Sequence, residues 1–209
     1  MNSPLYHVAS CNYPMYRSRF KKMILEGIVT TVNRDRSINV SPMGPVVDGD
    51  ISKLVLRPYQ TSTTYQNLKR DKEGVFHVTD DVMLLAQAAV GTPDPVPEFV
   101  PAPVGDGHIL ADACRWYLFR VVSLDDRQER TEIECDVVAQ GRQRDFLGFN
   151  RAKHAVLEAA ILATRLEFIP ADEIERDFER LAVIIEKTAG SQEQEAFAFL
   201  REHVRRCKV

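Results

Sequence analysis

The chain has 209 residues, a formal net charge of -3, and 44% hydrophobic and 27% charged residues. This length provides enough apolar side chains for one large domain or two small ones with a substantial core. The weakly acidic balance favours neither nucleic acid nor an anionic membrane surface as a partner. No apolar run approaches the roughly 20 residues that a membrane span needs.

The four cysteines, Cys11, Cys114, Cys135 and Cys207, are far apart and form no CxxC pair. Zinc sites and disulfide frameworks usually show closely spaced cysteines, so neither is predicted. We therefore expect a reduced, cytoplasmic protein without a metal site. Residues 1–22 have no regular period and no continuous apolar core, and are predicted to be an N-terminal extension.

The first patterned region predicts a β-meander. Residues 23–32 are β-branched, and a turn at residues 33–36 joins them to a second strand at residues 38–41. Two prolines and a glycine at residues 42–45 are expected to interrupt the pairing and to expose backbone groups. A strand at residues 53–56 follows. We expect this strand and the second one to be neighbours, with their ends at one mouth of a small barrel.

Residues 54–68, LVLRPYQTSTTYQNL, have the features of an anion site. Pro58 ends the strand, and a helix begins after a run of four hydroxyl residues, Thr61, Ser62, Thr63 and Thr64. A helix start offers free backbone N–H groups, and Arg57 adds a planar charged fork. A phosphate monoester suits this group. The alternative is a simple N-cap beside an arginine that pairs with a surface carboxylate, and the sequence alone favours neither.

Further strands and helices are predicted downstream. A strand at residues 74–78 contains His77 as a hydrogen-bonded core residue, and Asp80 and Asp81 are placed to cap a helix over residues 82–90. Metal binding by the two aspartates is the less favoured alternative. The proline-rich segment at residues 92–103 predicts a stiff extended loop rather than a paired strand. Two long antiparallel strands are predicted at residues 111–123 and 130–140.

The clearest helix covers residues 150–166, with Asn150 as its N-cap. Alanines occupy much of its surface, and a polar stripe consists of Arg151, His154, Glu158 and Arg165. This stripe is either a solvated face or the lining of a cavity or subunit contact in which Asn150 or Arg151 touches a ligand. Two more helices are predicted before residue 209, with capping boxes formed by Asp172 with Glu175 and by Ser191 with Gln194.

The order of the segments VTT, NVSPMG, RPYQTSTTYQNL, VFHVTDD and FNRAKHAVLEAAILATRL resembles the FMN-binding split-barrel superfamily. Within it, the chain is most similar to the group catalogued as domain of unknown function 447, over residues 24–166. The resemblance implies a mainly β fold with helices (α+β): an antiparallel split β-barrel in residues 23–150 and a C-terminal helical extension in residues 151–209, packed on the barrel.

The resemblance also implies which residues hold FMN. The phosphate candidates are Arg57, Thr61, Ser62, Thr63 and Thr64, and the candidates that line the flavin ring through backbone groups are Asn39, Ser41, Pro42, Met43 and Gly44. Asn67, Asn150 and Arg151 are further candidates. Because the flavin of this fold lies near a subunit boundary, the resemblance implies a homodimer.

The implied function is that of an FMN-dependent oxidoreductase of the flavin reductase type, with a small-molecule substrate or NAD(P)H as electron donor. The flavin supplies the electron chemistry, so no catalytic residue is predicted. The alternatives are a flavin or pterin carrier without turnover and a binder of another phosphate ester. The sequence contains neither GxGxxG nor GxxxxGK[ST], which argues against a Rossmann or P-loop nucleotide site.

Overall fold

A computed structural model describes residues 22–207, so the predicted extension lies outside the described residues except for Lys22. The described chain contains β1 (Met23–Ile24), β2 (Gly27–Val32), β3 (Ile38–Met43), β4 (Val46–Val47), β5 (Lys53–Leu56), α1 (Thr63–Asp71), β6 (Glu73–Val78), α2 (Val82–Val90), β7 (Phe99–Pro101), β8 (His108–Leu110), β9 (Arg115–Asp125), β10 (Glu132–Arg142), α3 (Arg151–Ala163), α4 (Ala171–Thr188) and α5 (Ser191–Cys207).

Eight of these strands form one antiparallel sheet, in the order β1-β4-β5-β10-β9-β6-β2-β3, and β7 pairs with β8 in a separate ribbon. The long sheet curls into a half-barrel, which confirms the predicted split β-barrel with added helices. The strands β9 and β10, each of 11 residues, form the middle of the sheet. The strand β3 lies at one end of the sheet and has β2 as its partner.

Two hydrophobic cores lie on opposite faces of β2, because successive side chains of a strand alternate. Val29 belongs to the barrel core, together with Leu56, Phe119 and Ile133 from other strands. Ile28 belongs to the second core, which joins the sheet to all four helices from α2 to α5. The C-terminal helices therefore pack on the face of the sheet opposite to the barrel core.

The alanine-rich surface of α3 explains how closely these helices pack. Its buried members are Ala152, Ala155, Ala159, Ala160 and Ala163, and α3 contacts α2, α4 and α5. The predicted N-cap is confirmed, since Asn150 Oδ1 accepts from the backbone N–H groups of Ala152 and Lys153. The helix ends at Ala163, three residues earlier than predicted.

His77 is a fully buried core residue, as predicted. Its Nδ1 lies 3.2 Å from the Ile28 carbonyl oxygen, and its Nε2 accepts from the Leu110 N–H at 3.1 Å. Since Nε2 accepts, the proton of the neutral ring is on Nδ1 and is donated to Ile28. Burial lowers the pKa of His77 to about 3.

Three sequence-based predictions about the strands are wrong. Phe99–Pro101 pairs with His108–Leu110, and its one proline, Pro101, is tolerated because this ribbon has free edges. The strand β3 continues through Pro42, which lies opposite Ile28, because an edge strand can turn a missing N–H outward. Finally, β3 and β5 are not neighbours in the sheet: β3 is at one end and β5 is third from the other.

The caps of α4 and α5 also differ from the two predicted capping boxes. The N-cap of α4 is Pro170, which forms no side-chain cap hydrogen bond, and Asp172 instead forms an ion pair with Arg176. At α5, the Gly190 N–H donates to Glu193 Oε2 at 2.7 Å, so the box uses Glu193 rather than Gln194. The N-cap of α4 lies two residues before the predicted Asp172. The helix α5 already begins at Ser191, one residue earlier than predicted, so both capping partners shift.

No helix in residues 22–207 combines the length and the apolar character that crossing a membrane requires.

Candidate functional site

The helix α1 begins at the predicted hydroxyl run. Ser62 is its N-cap: the Ser62 hydroxyl accepts from the Tyr65 N–H at 3.2 Å and donates to the Tyr59 carbonyl oxygen at 2.8 Å. Thr61 and Thr63 flank it with exposed side chains, whereas Thr64 is buried. The helix start therefore presents two exposed hydroxyls and its N-terminal N–H groups to a ligand.

Arg57 follows directly after β5 and is half exposed. Its Nη2 lies 3.4 Å from Glu132 Oε2, and the two side chains are 51% and 54% exposed. Exposed pairs of this kind are weak, about 0 to 1 kcal/mol, so a phosphate can displace the carboxylate. The alternative to an anion site was a simple N-cap beside an arginine that pairs with a surface carboxylate. Both of its features are present, at Ser62 and at Glu132, and neither prevents anion binding.

A buried polar network connects the helix start to the strand β3. Asn39 Nδ2 donates to Thr64 Oγ1 and to Thr31 Oγ1, each at 3.1 Å. Asn67 Nδ2 donates to Thr31 Oγ1 at 3.0 Å and to Asn33 Oδ1 at 2.8 Å. Although β3 and β5 are apart in the sheet, this network links Asn39 of the ring candidates to Thr64 of the phosphate candidates.

The remaining ring candidates are Ser41, Pro42 and Met43 of β3 and Gly44 directly after it, and all four are partly buried. Because β3 is an edge strand, one edge of its backbone has N–H and C=O groups that no described strand pairs. A flavin ring has donors and acceptors along one edge, and an open strand edge can satisfy them.

Sequence reasoning missed a carboxylate beside this strand. A Cβ atom placed on Gly44 would lie 2.7 Å from Glu26 Oε1, so the Glu26 carboxylate sits against the Gly44 backbone. Partial burial and the charge of Glu158 raise the pKa of Glu26. No local pattern at residue 26 indicates this contact with Gly44, because the contact depends on the path of the chain between β1 and β2.

Asn150 and Arg151 are separated from these contacts within the described chain. Asn150 Oδ1 is engaged as the helix cap, and its Nδ2 donates to the Thr188 carbonyl oxygen at 3.2 Å. Arg151 is exposed at the start of α3. Within residues 22–207, no hydrogen bond joins either residue to the phosphate or ring candidates.

Asp80 has a different role from the predicted cap. Asp81 alone caps α2, through the Leu84 N–H at 3.0 Å. The buried Asp80 carboxylate accepts from Arg144 Nη2 at 2.5 Å and from the Leu147 N–H at 3.0 Å. Burial raises its pKa, but these bonds outweigh burial and lower the pKa to about 2. Asp80 therefore fixes the segment that leads into α3.

That segment carries an exposed apolar surface. Leu147 and Phe149 are 84% and 94% exposed, and the Phe149 ring stacks on the exposed His154 ring with 6.2 Å between centroids. The predicted polar stripe of α3 is exposed beside it. Exposed apolar side chains held in an ordered segment are typical of protein contact surfaces.

Two cavities of the described chain, about 660 and 680 Å3 in volume, lie away from the phosphate candidates. The first contains Thr31 and Asn33 of the polar network but none of Arg57 or Thr61–Thr64. The second cavity likewise contains none of these residues. The described residues also contain no cluster of three metal-ligating side chains.

Two family models match the chain. The model of the N-terminal domain of DUF447, a protein of unknown function, covers residues 25–144, and the DUF447 C-terminal model covers residues 150–202. No curated protein matches the chain.

Several solved structures are similar. An FMN-bound DUF447 protein from Methanosarcina mazei aligns with a TM-score of 0.72 and 23% identity, over 88% of this chain and 96% of that one. At this identity the similarity establishes the fold. A 2-nitrobenzoate nitroreductase from Pseudomonas fluorescens has a TM-score of 0.49 at 15% identity, over 66% of this chain and 76% of that one. The styrene monooxygenase flavin reductase from Pseudomonas putida has a TM-score of 0.48 at 13% identity, over 57% and 82%. The last two similarities are too weak to argue from.

Proposed function

This chain belongs to the DUF447 family, and we propose that it binds FMN and acts as a flavin-dependent oxidoreductase. The observation that carries the proposal is the hydrogen bond from Asn39 to Thr64, which links an open strand edge to a helix start whose N–H groups suit an anion. A flavin mononucleotide needs these two features, one for the ring and one for the phosphate. The FMN-bound family member with the same fold supports this ligand.

In the proposed complex, Arg57 and the residues from Thr61 to Thr64 bind the phosphate. The helix contributes N–H groups and the positive end of its dipole, and Arg57 contributes a bidentate, charge-assisted contact. The backbone from Asn39 to Gly44, in β3 and directly after it, contacts the ring, and Asn67 holds this arrangement through Thr31. When bound, FMN supplies the electron-transfer chemistry, and the protein supplies position and electrostatics.

We also propose that the protein is a homodimer, with NAD(P)H or a small molecule as the electron donor. The exposure of Arg57, Thr61 and Thr63 supports a site that a second chain completes. The stripe on α3 is suited to pairing with itself, because Arg151 and Glu158 carry opposite charges seven residues apart. A two-fold axis between them places each arginine opposite the partner's glutamate. Asn150 and Arg151 then belong to the contact between chains.

We infer that the chain divides into a flavin-binding barrel, residues 23–150, and a helical region, residues 151–209, and that it is cytoplasmic. The division is supported by the second hydrophobic core, in which the helices bury their apolar faces against the sheet. The reduced state of Cys114, Cys135 and Cys207, which are free thiols, suits a cytoplasmic location.

The deciding experiment is the absorption spectrum of the purified protein, followed by anaerobic mixing with NADH or NADPH. We expect a flavin spectrum that bleaches with one of the two donors. A spectrum that persists with both favours a flavin carrier or another donor. If the protein contains no flavin and takes up none on titration, the FMN proposal is wrong and another phosphate ester is the better candidate.

A further inference from the structure

The turn between β9 and β10 is built into the predicted phosphate site. Thr131 donates to the Pro58 carbonyl oxygen from its backbone N at 3.0 Å and from Oγ1 at 2.8 Å. The Gln60 N–H donates to the Glu129 carbonyl oxygen at 2.9 Å, and Gln60 Nε2 donates to that of Asp126 at 2.7 Å. These bonds fix the turn against the segment between Arg57 and the helix start.

The turn is held to the helix α1 as well. The Asp126 carboxylate accepts from the Tyr65 hydroxyl at 2.7 Å and from Lys69 Nζ at 2.8 Å. The hydrogen bond from the Lys69 ammonium and, to a smaller extent, that from the Tyr65 hydroxyl lower the pKa of Asp126, so its carboxylate is charged at neutral pH. The turn and the helix start therefore form one unit whose geometry is set before any ligand arrives.

Arg130 in this turn lies beside Arg57. Arg130 Nε donates to the Arg57 carbonyl oxygen at 3.2 Å, and its guanidinium lies over the Tyr59 ring, 5.8 Å from the centroid. Thr131 is buried, so alternation along the chain turns Arg130 and Glu132 to the outer face. Arg57 reaches Glu132 on that same face, so the two arginines share one surface.

The arginines of this surface differ in whether a carboxylate holds them. Arg57 pairs with Glu132 at 3.4 Å, and Arg127 holds Asp125 in a two-pronged contact, with Nε at 2.9 Å from Oδ1. Within the described part of the chain, Arg130 forms no salt bridge. Its Nε donates to the Arg57 carbonyl oxygen, and its guanidinium plane packs on the Tyr59 ring. Neither contact uses the two terminal nitrogens, which can therefore bind an anion.

We propose that Arg130 is a second phosphate-binding residue of this site, acting with Arg57 on the same phosphate group. The proposal rests on the FMN function proposed above. A phosphate monoester carries up to two negative charges and three acceptor oxygens, which matches two guanidinium groups together with a helix start. When the phosphate binds, Glu132 gives up its weak contact with Arg57.

The test compares FMN with riboflavin, which lacks the phosphate, in fluorescence titrations of the full chain. We expect Arg130→Ala to raise the Kd for FMN on the order of tenfold and to leave the Kd for riboflavin within about twofold. Arg130→Gln, which retains an amide that can donate to the Arg57 carbonyl oxygen, is expected to show the same selective loss. Arg127→Ala is the matched control. Arg127 belongs to the same turn but already pairs with Asp125, so FMN affinity should change less than twofold.

Each outcome separates this proposal from the one it rests on. If the wild-type protein binds neither flavin, the FMN function is wrong, and the role of Arg130 falls with it. If the wild type binds FMN and Arg130→Ala binds it equally well, the role of Arg130 alone is overturned. Equal losses for FMN and riboflavin in both Arg130 variants also overturn it, because Arg130 would then support the local fold.

Discussion

The Asn39 side-chain amide donates to the Thr64 hydroxyl across 3.1 Å, and this bond joins the edge strand β3 to the start of α1. Thr64 is buried, so its hydroxyl has little access to water as a replacement partner. The geometry of the proposed flavin site therefore depends on a contact between two residues that are 25 positions apart.

Replacing Thr64 by valine keeps the shape of the side chain and removes the acceptor. We expect Thr64→Val to lower the free energy of unfolding by about 1 kcal/mol, because the partly buried Asn39 amide loses one of its two partners. FMN affinity should fall several-fold through the displaced helix start. Denaturant unfolding and flavin titration measure the two effects. Thr63→Val, at an exposed neighbouring position, should leave the unfolding free energy unchanged. If both variants lose a similar amount of unfolding free energy, the stabilising role of the network is contradicted.

Replacing Arg57 by alanine should weaken FMN much more than riboflavin, because the two ligands differ in the phosphate. Charge-assisted hydrogen bonds contribute about 1.5 to 3 kcal/mol each, so the loss of a bidentate contact should raise the Kd for FMN about tenfold to several hundredfold. Arg57→Lys should restore part of the affinity, since lysine provides a point charge without the planar fork.

Ser62→Ala is the companion variant at the helix N-cap. It should show the same preference with a smaller loss, because the N–H groups of the helix remain. If Arg57→Ala weakens FMN and riboflavin equally, Arg57 supports the ring or the fold, and the phosphate assignment is incorrect.

The proposed dimer predicts that exposed apolar residues next to α3 hold two chains together. Light scattering well above micromolar concentration should show a dimer, and Phe149→Glu should shift it towards monomers by placing charge in the contact. Phe168→Glu is a control, because Phe168 is comparably exposed at 81% but lies beyond the far end of α3. A strictly monomeric wild type that binds FMN tightly would rule out a site shared between chains.

The predicted phosphate stretch could be found in the sequence because its signals are local. A strand end at Pro58, the hydroxyl run and the helix start all fall within residues 54–68, and the structure places α1 where they indicate. The caps Asp81 and Asn150 were found for the same reason, since a cap acts on N–H groups two or three residues ahead.

Arg130 and Asp80 could not be assigned in this way. Arg130 reaches Arg57 across 73 positions, and Asp80 reaches Arg144 across 64. Both contacts depend on the register of paired strands and on how the sheet curls, which follow from packing rather than from the residues nearby. The edge position of β3 was missed for the same reason, because strand order in a sheet is a property of the whole chain.

The buried His77 predicts a specific dependence of stability on pH. In the folded protein, burial lowers the pKa of His77 to about 3, from the ordinary value of 6.5 that applies in the unfolded chain. Between these values the unfolded chain binds the proton and the folded protein does not, so protonation favours unfolding. The stabilising contribution of neutral His77 is complete above pH 6.5 and is lost as the pH falls towards 3.

The loss should be close to 1.4 kcal/mol per pH unit within this window, or about 2.5 kcal/mol between pH 7.5 and pH 4.5. His77→Gln keeps a donor and an acceptor without a titrating group. We expect it to be less stable than the wild type at pH 7.5, with most of that deficit gone at pH 4.5. The difference in unfolding free energy between the two proteins removes the contributions of other groups that titrate in this pH range. One such group is His203, whose pKa is also lowered by burial and by Arg206. An NMR titration that shows His77 taking up its proton near pH 6 in the folded wild type would contradict the neutral, buried state, whether or not the variant folds.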